Sequence, residues 1–544
     1  MKLWNKIKKH ADSTPNKDAF NTLILEGLCY EKVSYLDLVR AVQRCFYSLP
    51  EVAGMRVGLM ISNRPLWAIY DLALTLKGAT VVPVAHFFSE TQVRHIINDA
   101  QLKLLIKEDF SGEDEQVFSD SMTMRLIKAD TLLEKPCGNA AEIPLKAITP
   151  RYNPSAITKI IYTSGTTAAP KGVMVSQAAI DVVTMNLAEK TRACAEDRHL
   201  TLLPLATLIE TIGGLYVPLY AGATIMYPEI NKNKASLMAI MRSPLENAKL
   251  IRKTRVTTLN LVPAILEGLI KVAEKTKRPI PKSLRFIACG GAVLPSSLME
   301  RAKALGIPLY QGFGLSECTT VVSLNSPENN RPGSVGTPLP HVTIRIADDG
   351  EIIVRSNALM TGYLNNDGKE INEWPTGDLG YMDDDGFLYV SGRKDSAFAT
   401  SAGRNVSPEW IEGELLSSHA VSQALVFGAG LDHPSAIIVP EIGWLKRASQ
   451  EIAVQRKESK ELLQEPLIRE ILIKELNLSM QSLPEYATVK EFIFTESPFT
   501  KKTGEVGPSG ALNRKLILKR YADTQKLVYS KEASNAPIYR QQPV

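Results

Sequence analysis

The sequence predicts an α/β protein: a large N-terminal domain of layered α/β subdomains with a β-rich subdomain, then a small mobile α+β C-terminal domain. Three observations carry this. Short apolar runs alternate with helical segments over residues 20–110, and again over residues 200–288. The texture changes around Gly333–Val354 to short strands and tight turns. Beyond residue 396 it changes once more, to one helix followed by two strands.

Each element has a local reason. Val57–Ser62 and Thr80–Val84 are continuous β-prone apolar runs and read as buried strands, with a helix over Leu66–Leu76 between them. Further strands are expected at Leu200–Pro204, Ala223–Met226, Thr257–Val262 and Arg285–Ala288. In the β-rich part, Asp348-Asp-Gly350 joins Thr343–Ile346 to Glu351–Arg355, and Asp383–Gly386 precedes Phe387–Val390. Ser407-Pro408 supplies an N-cap and a proline at the first helical position for a helix through Trp410–Leu416. Strands are expected at Val421–Phe427 and Ala436–Pro440. The domain boundaries follow: 1–392 for the large domain, 393–396 for a hinge, 397–544 for the small domain.

The 544 residues are 44% hydrophobic and 22% charged, which suits a globular protein with more than one core. A net charge of +5, with no Lys/Arg block interleaved with aromatics, argues against a nucleic-acid partner. Cys29, Cys45, Cys137, Cys194, Cys289 and Cys318 are scattered without CxxC pairs, which suits reduced thiols rather than a disulfide frame or zinc site. The charged N-terminus has no apolar core, so no signal peptide and a cytoplasmic location are expected. No apolar run approaches the length of a membrane span, which leaves peripheral membrane contact open.

Residues 160–173, Ile-Ile-Tyr-Thr-Ser-Gly-Thr-Thr-Ala-Ala-Pro-Lys-Gly-Val, are the most informative stretch. A β-prone segment ends in Thr163, Ser164, Gly165, Thr166 and Thr167, and then come Pro170, Lys171 and Gly172. Closely spaced backbone N–H groups, four hydroxyls and one cation are the groups that hold a polyphosphate. This is not a Walker A loop, because Pro170 precedes the lysine and Gly172 follows it. Gln311-Gly-Phe-Gly-Leu-Ser-Glu317 lacks the third glycine of a dinucleotide fingerprint, which counts against a redox Rossmann enzyme.

The order of these residues resembles the adenylate-forming (AMP-binding) superfamily, and most resembles long- and medium-chain fatty acyl-CoA synthetases. The resemblance covers roughly residues 20–530 and implies several roles. Thr163 to Thr167 and Lys171 would bind ATP, with Lys171 and Thr166 acting in catalysis. Gly290, Gly291 and Ala292 would border the adenine and acyl pockets. Gln311, Gly312, Phe313, Gly314 and Ser316 would line the nucleotide, with Phe313 on the adenine face and Ser316 near the phosphates. Glu317, with Thr166, would hold Mg²⁺, a role suited to hard oxygen ligands. Asp378 in Trp374–Gly380 would accept from the ribose hydroxyls, with Arg393 beside it. Asp395 falls at the hinge position, where the small domain would rotate between two arrangements. Thr207 and Leu261 would wall the acyl pocket, and Gly403 would admit a pantetheine arm. Thr207 stands where the family usually has histidine.

What the resemblance implies is attack of a carboxylate on the α-phosphate of Mg-ATP, then transfer of the acyl group to a thiol. Catalysis would be mainly positioning and charge neutralisation. The implied cofactors are ATP, Mg²⁺ and coenzyme A. The acid is expected to be apolar, of the fatty class, because each buried CH₂ is worth about 0.8 kcal/mol. A carrier-protein phosphopantetheine arm or an amine remains open as acceptor. One departure stands out: the family's adenylation lysine aligns with Ala511. Lys501, Lys502, Arg514 or Lys515 could supply the missing charge, adenylation could be slow, or the chain could be an adenylation-impaired nucleotide- or acyl-binding relative.

Overall fold

Two large sheets pack with the helix Pro65–Leu76 buried on all sides, which is why its run of twelve residues is apolar nearly all round. In the computed structural model the described residues are 1–23, 30–108, 125–129, 148, 153–163, 170–228, 243–292, 294–366, 371–401, 404–451, 459–481, 483–507, 512–530 and 538–540. Proline starts this helix at the position where a missing N–H costs nothing. Trp67, Tyr70 and Leu74 from it meet Trp4, Phe20, Tyr35 and Tyr227 in the main core.

One sheet has nine strands. In spatial order they are Thr337–Pro338, Ser323–Leu324, Leu309–Phe313, Phe286–Cys289, Thr258–Leu261, Arg198–Leu200, Thr224–Pro228, Asp18–Leu23 and Tyr30–Ser34. Its centre is parallel and its edges antiparallel. The other has seven strands: Gly362–Tyr363, Lys171–Ser176, Ile157–Thr163, Thr80–Pro83, Arg56–Met60, Leu104–Lys107 and Arg125–Lys128. A four-stranded antiparallel sheet, Val342–Ile346, Glu351–Ser356, Trp374–Met382 and Leu388–Arg393, forms the β-rich part. After it, Val421–Phe427, Ser435–Pro440, Glu491–Phe494 and Ile538–Arg540 form a separate sheet. That sheet has its own core, with Ile411, Leu415, Leu472 and Phe492 fully buried.

Two sequence expectations need correction. The strand expected at Leu200–Pro204 covers only Arg198–Leu200. Beyond it the backbone leaves the sheet because the Asn63 amide takes over: Nδ2 donates to Leu203 O at 2.6 Å, and Leu205 N donates to Oδ1 at 2.8 Å. Ser407 does sit at the N-cap of the helix Pro408–Leu416, but its side chain makes no capping bond. It donates instead to Glu409 Oε2 at 3.2 Å.

Candidate functional site

The strands flanking the hydroxyl-rich loop pair antiparallel, with Thr163 opposite Lys171. These two strands therefore form an antiparallel pair, whereas a Walker A site joins a strand to a helix. Ser164, Gly165, Thr166 and Thr167 lie outside the described residues. The facing strand ends are placed: Thr163 is half-buried and Lys171 is exposed. Gly172 is needed because a Cβ there would lie 2.9 Å from Ile160 Cγ2 and 3.2 Å from Tyr162 Cζ.

Lys171 Nζ stands 5.5 Å from the centre of the Tyr363 ring. The same tyrosine donates from Oη to Glu317 Oε1 at 2.7 Å. Glu317 lies in the short 3₁₀ turn Ser316–Cys318, and its carbonyl accepts from Met360 N at 2.7 Å. Lys171 and Glu317 are thus brought to one aromatic ring. Sequence reasoning missed Tyr363. The only local signal is a tyrosine after Gly362, and its partner strand is remote in sequence.

At the carboxyl edge of the nine-stranded sheet, Leu261 pairs with Cys289 and Cys289 with Gln311. Gly290 N donates to Leu261 O at 3.2 Å, and a Cβ on Gly290 would lie 3.0 Å from Gly312 O. Gly291 follows at φ +81°, with Ala292 exposed beside it. Gly314 admits no side chain, since a Cβ would lie 1.6 Å from Thr320 O. Phe313 and Ser316 are half-buried on the same segment. The edge is therefore walled by backbone, as a close-fitting ligand requires. Gln311 Oε1 is buried without a hydrogen-bond partner among the described residues. An orphan acceptor in such a cleft needs a donor, and an aminopurine carries one.

Asp378 and Arg393 face each other on neighbouring strands, with Arg393 Nη1 donating to Asp378 Oδ1 at 3.1 Å. Asp378 is buried, which holds its carboxyl above the usual aspartate value; Arg393 pulls the other way without cancelling this. A carboxylate has four acceptor positions, so room remains for hydroxyl donors. Gly377 at φ +71° lets the guanidinium approach, since a Cβ there would lie 3.3 Å from Arg393 Nη2.

The segment expected to wall the acyl pocket is less apolar than its sequence suggests. Thr207 Oγ1 donates to Pro204 O at 2.7 Å, and Thr207 O accepts from Thr211 N at 2.9 Å. This turn opens a π-helix, Ile209–Tyr216, a form common at functional positions. Within it Glu210 is fully buried, accepting from Asn260 Nδ2 at 3.1 Å with His199 Nε2 3.5 Å away. Leu261 is fully buried. Two residues before it on the same strand face, Leu259 helps line a narrow apolar crevice, with Ile251, Leu266, Leu269 and Ile287.

At the linker, Lys394 donates to Asp349 Oδ2 at 2.6 Å and Glu351 Oε2 at 2.8 Å, tying this residue to the preceding sheet. Asp395 follows in a turn and is exposed. A Cβ on Gly392 would lie 1.5 Å from Ser407 Oγ, so the small domain's first helix packs directly on the strand before the linker. Thr400 and Arg404 bond across the loop that holds Gly403, which itself lies outside the described residues. Ala511 also lies outside them.

Among the described residues no three His, Cys, Asp or Glu side chains assemble to hold a metal by themselves. The described residues would fit Mg²⁺ only alongside phosphate oxygens, with the Glu317 carboxylate available as a hard ligand. A family model described as AMP-binding enzyme matches residues 7–364, and another, AMP-binding enzyme C-terminal domain, matches 395–533.

The chain belongs to the AMP-binding enzyme family, the adenylate-forming enzymes.

Among these AMP-binding relatives is the long-chain-fatty-acid–CoA ligase FadD15 of Mycobacterium bovis, 27% identical over 91% of both chains. A 2-succinylbenzoate–CoA ligase of Bacillus velezensis is 30% identical, covering 78% of this chain and 85% of its own. The anthranilate CoA ligase AuaEII, solved with anthranoyl-AMP, shares the fold at a TM-score of 0.76, with 18% identity over 97% of this chain and 98% of its own. O-succinylbenzoate coenzyme A synthetase from Bacillus subtilis, solved with ATP and magnesium, shares it at 0.71, with 24% identity over 94% and 98%. Among the described residues of this AMP-binding enzyme, no helix is long and apolar enough to cross a membrane.

Proposed function

We propose that this AMP-binding enzyme is an acid–thiol ligase that activates an apolar carboxylic acid, of the fatty class, with Mg-ATP and passes the acyl group to coenzyme A. The observation that supports the acid assignment is the apolar crevice lined by Leu259, Leu266, Leu269 and Ile287, behind the strand that ends in Leu261. Hydrocarbon contact there would favour a chain by about 0.8 kcal/mol per buried CH₂.

The residues divide the work as follows. Thr163, Ser164, Gly165, Thr166, Thr167 and Lys171 embrace the triphosphate, and Lys171 and Thr166 bear on the reacting phosphate. Glu317, with Thr166, holds Mg²⁺, which when bound neutralises phosphate charge. Gly290, Gly291, Ala292, Gln311, Gly312, Phe313, Gly314 and Ser316 frame the nucleoside, while Asp378 and Arg393 hold its ribose. Thr207 and Leu261 flank the acid, and Gly403 borders the thiol's path. The carboxylate attacks the α-phosphorus, the bond to the bridging oxygen breaks, and pyrophosphate leaves. The thiol sulfur then attacks the acyl carbon and AMP departs. Residues 1–392 and 397–544 form the two domains, which turn about 393–396 with Asp395 at the pivot. Cys289 and Cys318 are buried thiols without disulfides, which supports a reducing, cytoplasmic setting.

A second reading has its own observation. Glu210, Asn260 and His199 gather polar atoms on the other face of the Leu259–Leu261 strand, which favours a compact acid with a polar end, as in the aryl-acid ligases among the relatives. The test is to incubate purified protein with Mg-ATP, coenzyme A and a mixture of C8–C18 and aryl acids, and to identify thioesters by mass spectrometry. Fatty acyl-CoA products are expected. Aryl thioesters alone would establish the second reading. ATP binding with no thioester and no pyrophosphate would mark an adenylation-impaired relative, and product only with a carrier protein or an amine would change the acceptor.

A further inference from the structure

The segment Met360–Leu364 is tied to both halves of the nucleotide site. Met360 N donates to Glu317 O at 2.7 Å, Thr361 N to Met174 O at 2.9 Å, and Leu364 N to Gly172 O at 2.7 Å. Tyr363 itself pairs with Val173, two residues after Lys171, and packs edge-on against Trp374 with ring centres 6.0 Å apart. Its side chain therefore has little freedom. From this fixed seat its hydroxyl meets the Glu317 carboxylate at 2.7 Å, and its ring faces the Lys171 ammonium at 5.5 Å. No ion pair joins Lys171 directly to Glu317 among the described residues.

We propose that Tyr363 is a positioning residue of the ATP site: its hydroxyl aims the Glu317 carboxylate at the metal, and its ring seats Lys171 so that the two opposite charges do not collapse onto each other. This rests on the reading of Lys171 and Glu317 as ATP-site groups. Without the spacer, the ammonium and carboxylate would satisfy one another, and Mg-ATP would have to break that pair before binding. A neutral ring offers the cation a weaker partner that a phosphate easily replaces. A phenol donor also leaves the remaining carboxylate lone pairs facing outward for a metal.

The experiment measures ATP binding to the full-length protein by calorimetry, with and without Mg²⁺, for wild type, Tyr363→Phe, Glu317→Gln and the double variant. Tyr363→Phe should raise the Mg²⁺ concentration needed for half-maximal ATP binding about tenfold, the scale of one hydrogen bond to a charged group. ATP binding in EDTA should change by less than about twofold, because Lys171 keeps its ring. In the Glu317→Gln background the Tyr363→Phe effect should vanish, as expected for groups acting through one contact. Tyr363→Leu, which also removes the ring, should weaken metal-free ATP binding; if it melts early, Tyr363→Phe and the cycle decide alone. If Glu317→Gln alters the Mg²⁺ dependence and Tyr363→Phe does not, the proposal is wrong while the reading of the site stands. If Glu317→Gln changes nothing, Glu317 is not the metal ligand and both fall.

Discussion

Arg514 Nη1 donates to Glu412 Oε1 at 2.5 Å, in the interior of the small domain. Arg514 also donates to the Val426 carbonyl, and Val426 N donates to the same carboxylate oxygen at 2.7 Å. Arg514 is therefore committed to holding a buried acid, which weighs against it as the cation expected to stand in for Ala511.

Ala511→Lys should accordingly raise the rate of pyrophosphate release. Removing one preorganised charge partner typically costs about 10²–10³ in rate, so restoring one should give tenfold or more in single-turnover assays. Arg514→Ala should instead lower the melting temperature, since it leaves a buried carboxylate unpaired. A folded Ala511→Lys protein with an unchanged rate would show that the position does not face the reacting groups.

The pH dependence of stability should carry the signature of Glu412. Burial pushes its carboxyl up to about 7, against the partial opposition of Arg514. A raised acid favours folding most when protonated. Its contribution is complete below about pH 4.5 and is lost as the pH rises through about 7, an effect on the order of 3 kcal/mol. Glu412→Gln should flatten that slope in urea titrations from pH 4.5 to 8. Parallel curves for the two proteins would rule the assignment out.

Asp378 should make the enzyme choose ribose. A site built to accept from a hydroxyl discriminates against an analogue that lacks it. Wild type should bind ATP more tightly than 2′-deoxy-ATP, by about tenfold for a charge-assisted bond. Asp378→Ala should bind the two nucleotides equally. Competition binding with both nucleotides decides this, and a preference that survives the substitution would place the ribose elsewhere.

Two glycines should respond very differently to alanine. At Gly314 the added carbon meets Thr320 O at 1.6 Å, so backbone must move. At Gly386, with φ +81°, nothing lies within 4 Å and only conformational strain remains. Gly386→Ala should cost about 1–2 kcal/mol, whereas Gly314→Ala should cost more and weaken nucleotide binding as well. Chemical denaturation of both variants compares them directly, and equal costs would contradict the close passage at Gly314.

Much of the architecture was legible locally. Thr258–Leu261, Phe286–Cys289 and Val421–Phe427 lie within a residue of where their β-branched and apolar runs suggested. Leu203–Pro204 was misread as strand, because its apolar residues serve a segment held by an amide from Asn63 rather than by a neighbouring strand. Glu210 was overlooked among apolar neighbours, since its burial depends on Asn260 and His199 from other strands.

The chain's own order of residues determined the alternating layers, the hydroxyl-rich turn and the family, because these depend on spacing along the backbone and on side-chain type. Only the tertiary structure decided that Tyr363 stands between Lys171 and Glu317, and that Glu412 consumes Arg514. Those pairings form across distant strands, where register and burial, rather than neighbouring residues, choose which charges meet.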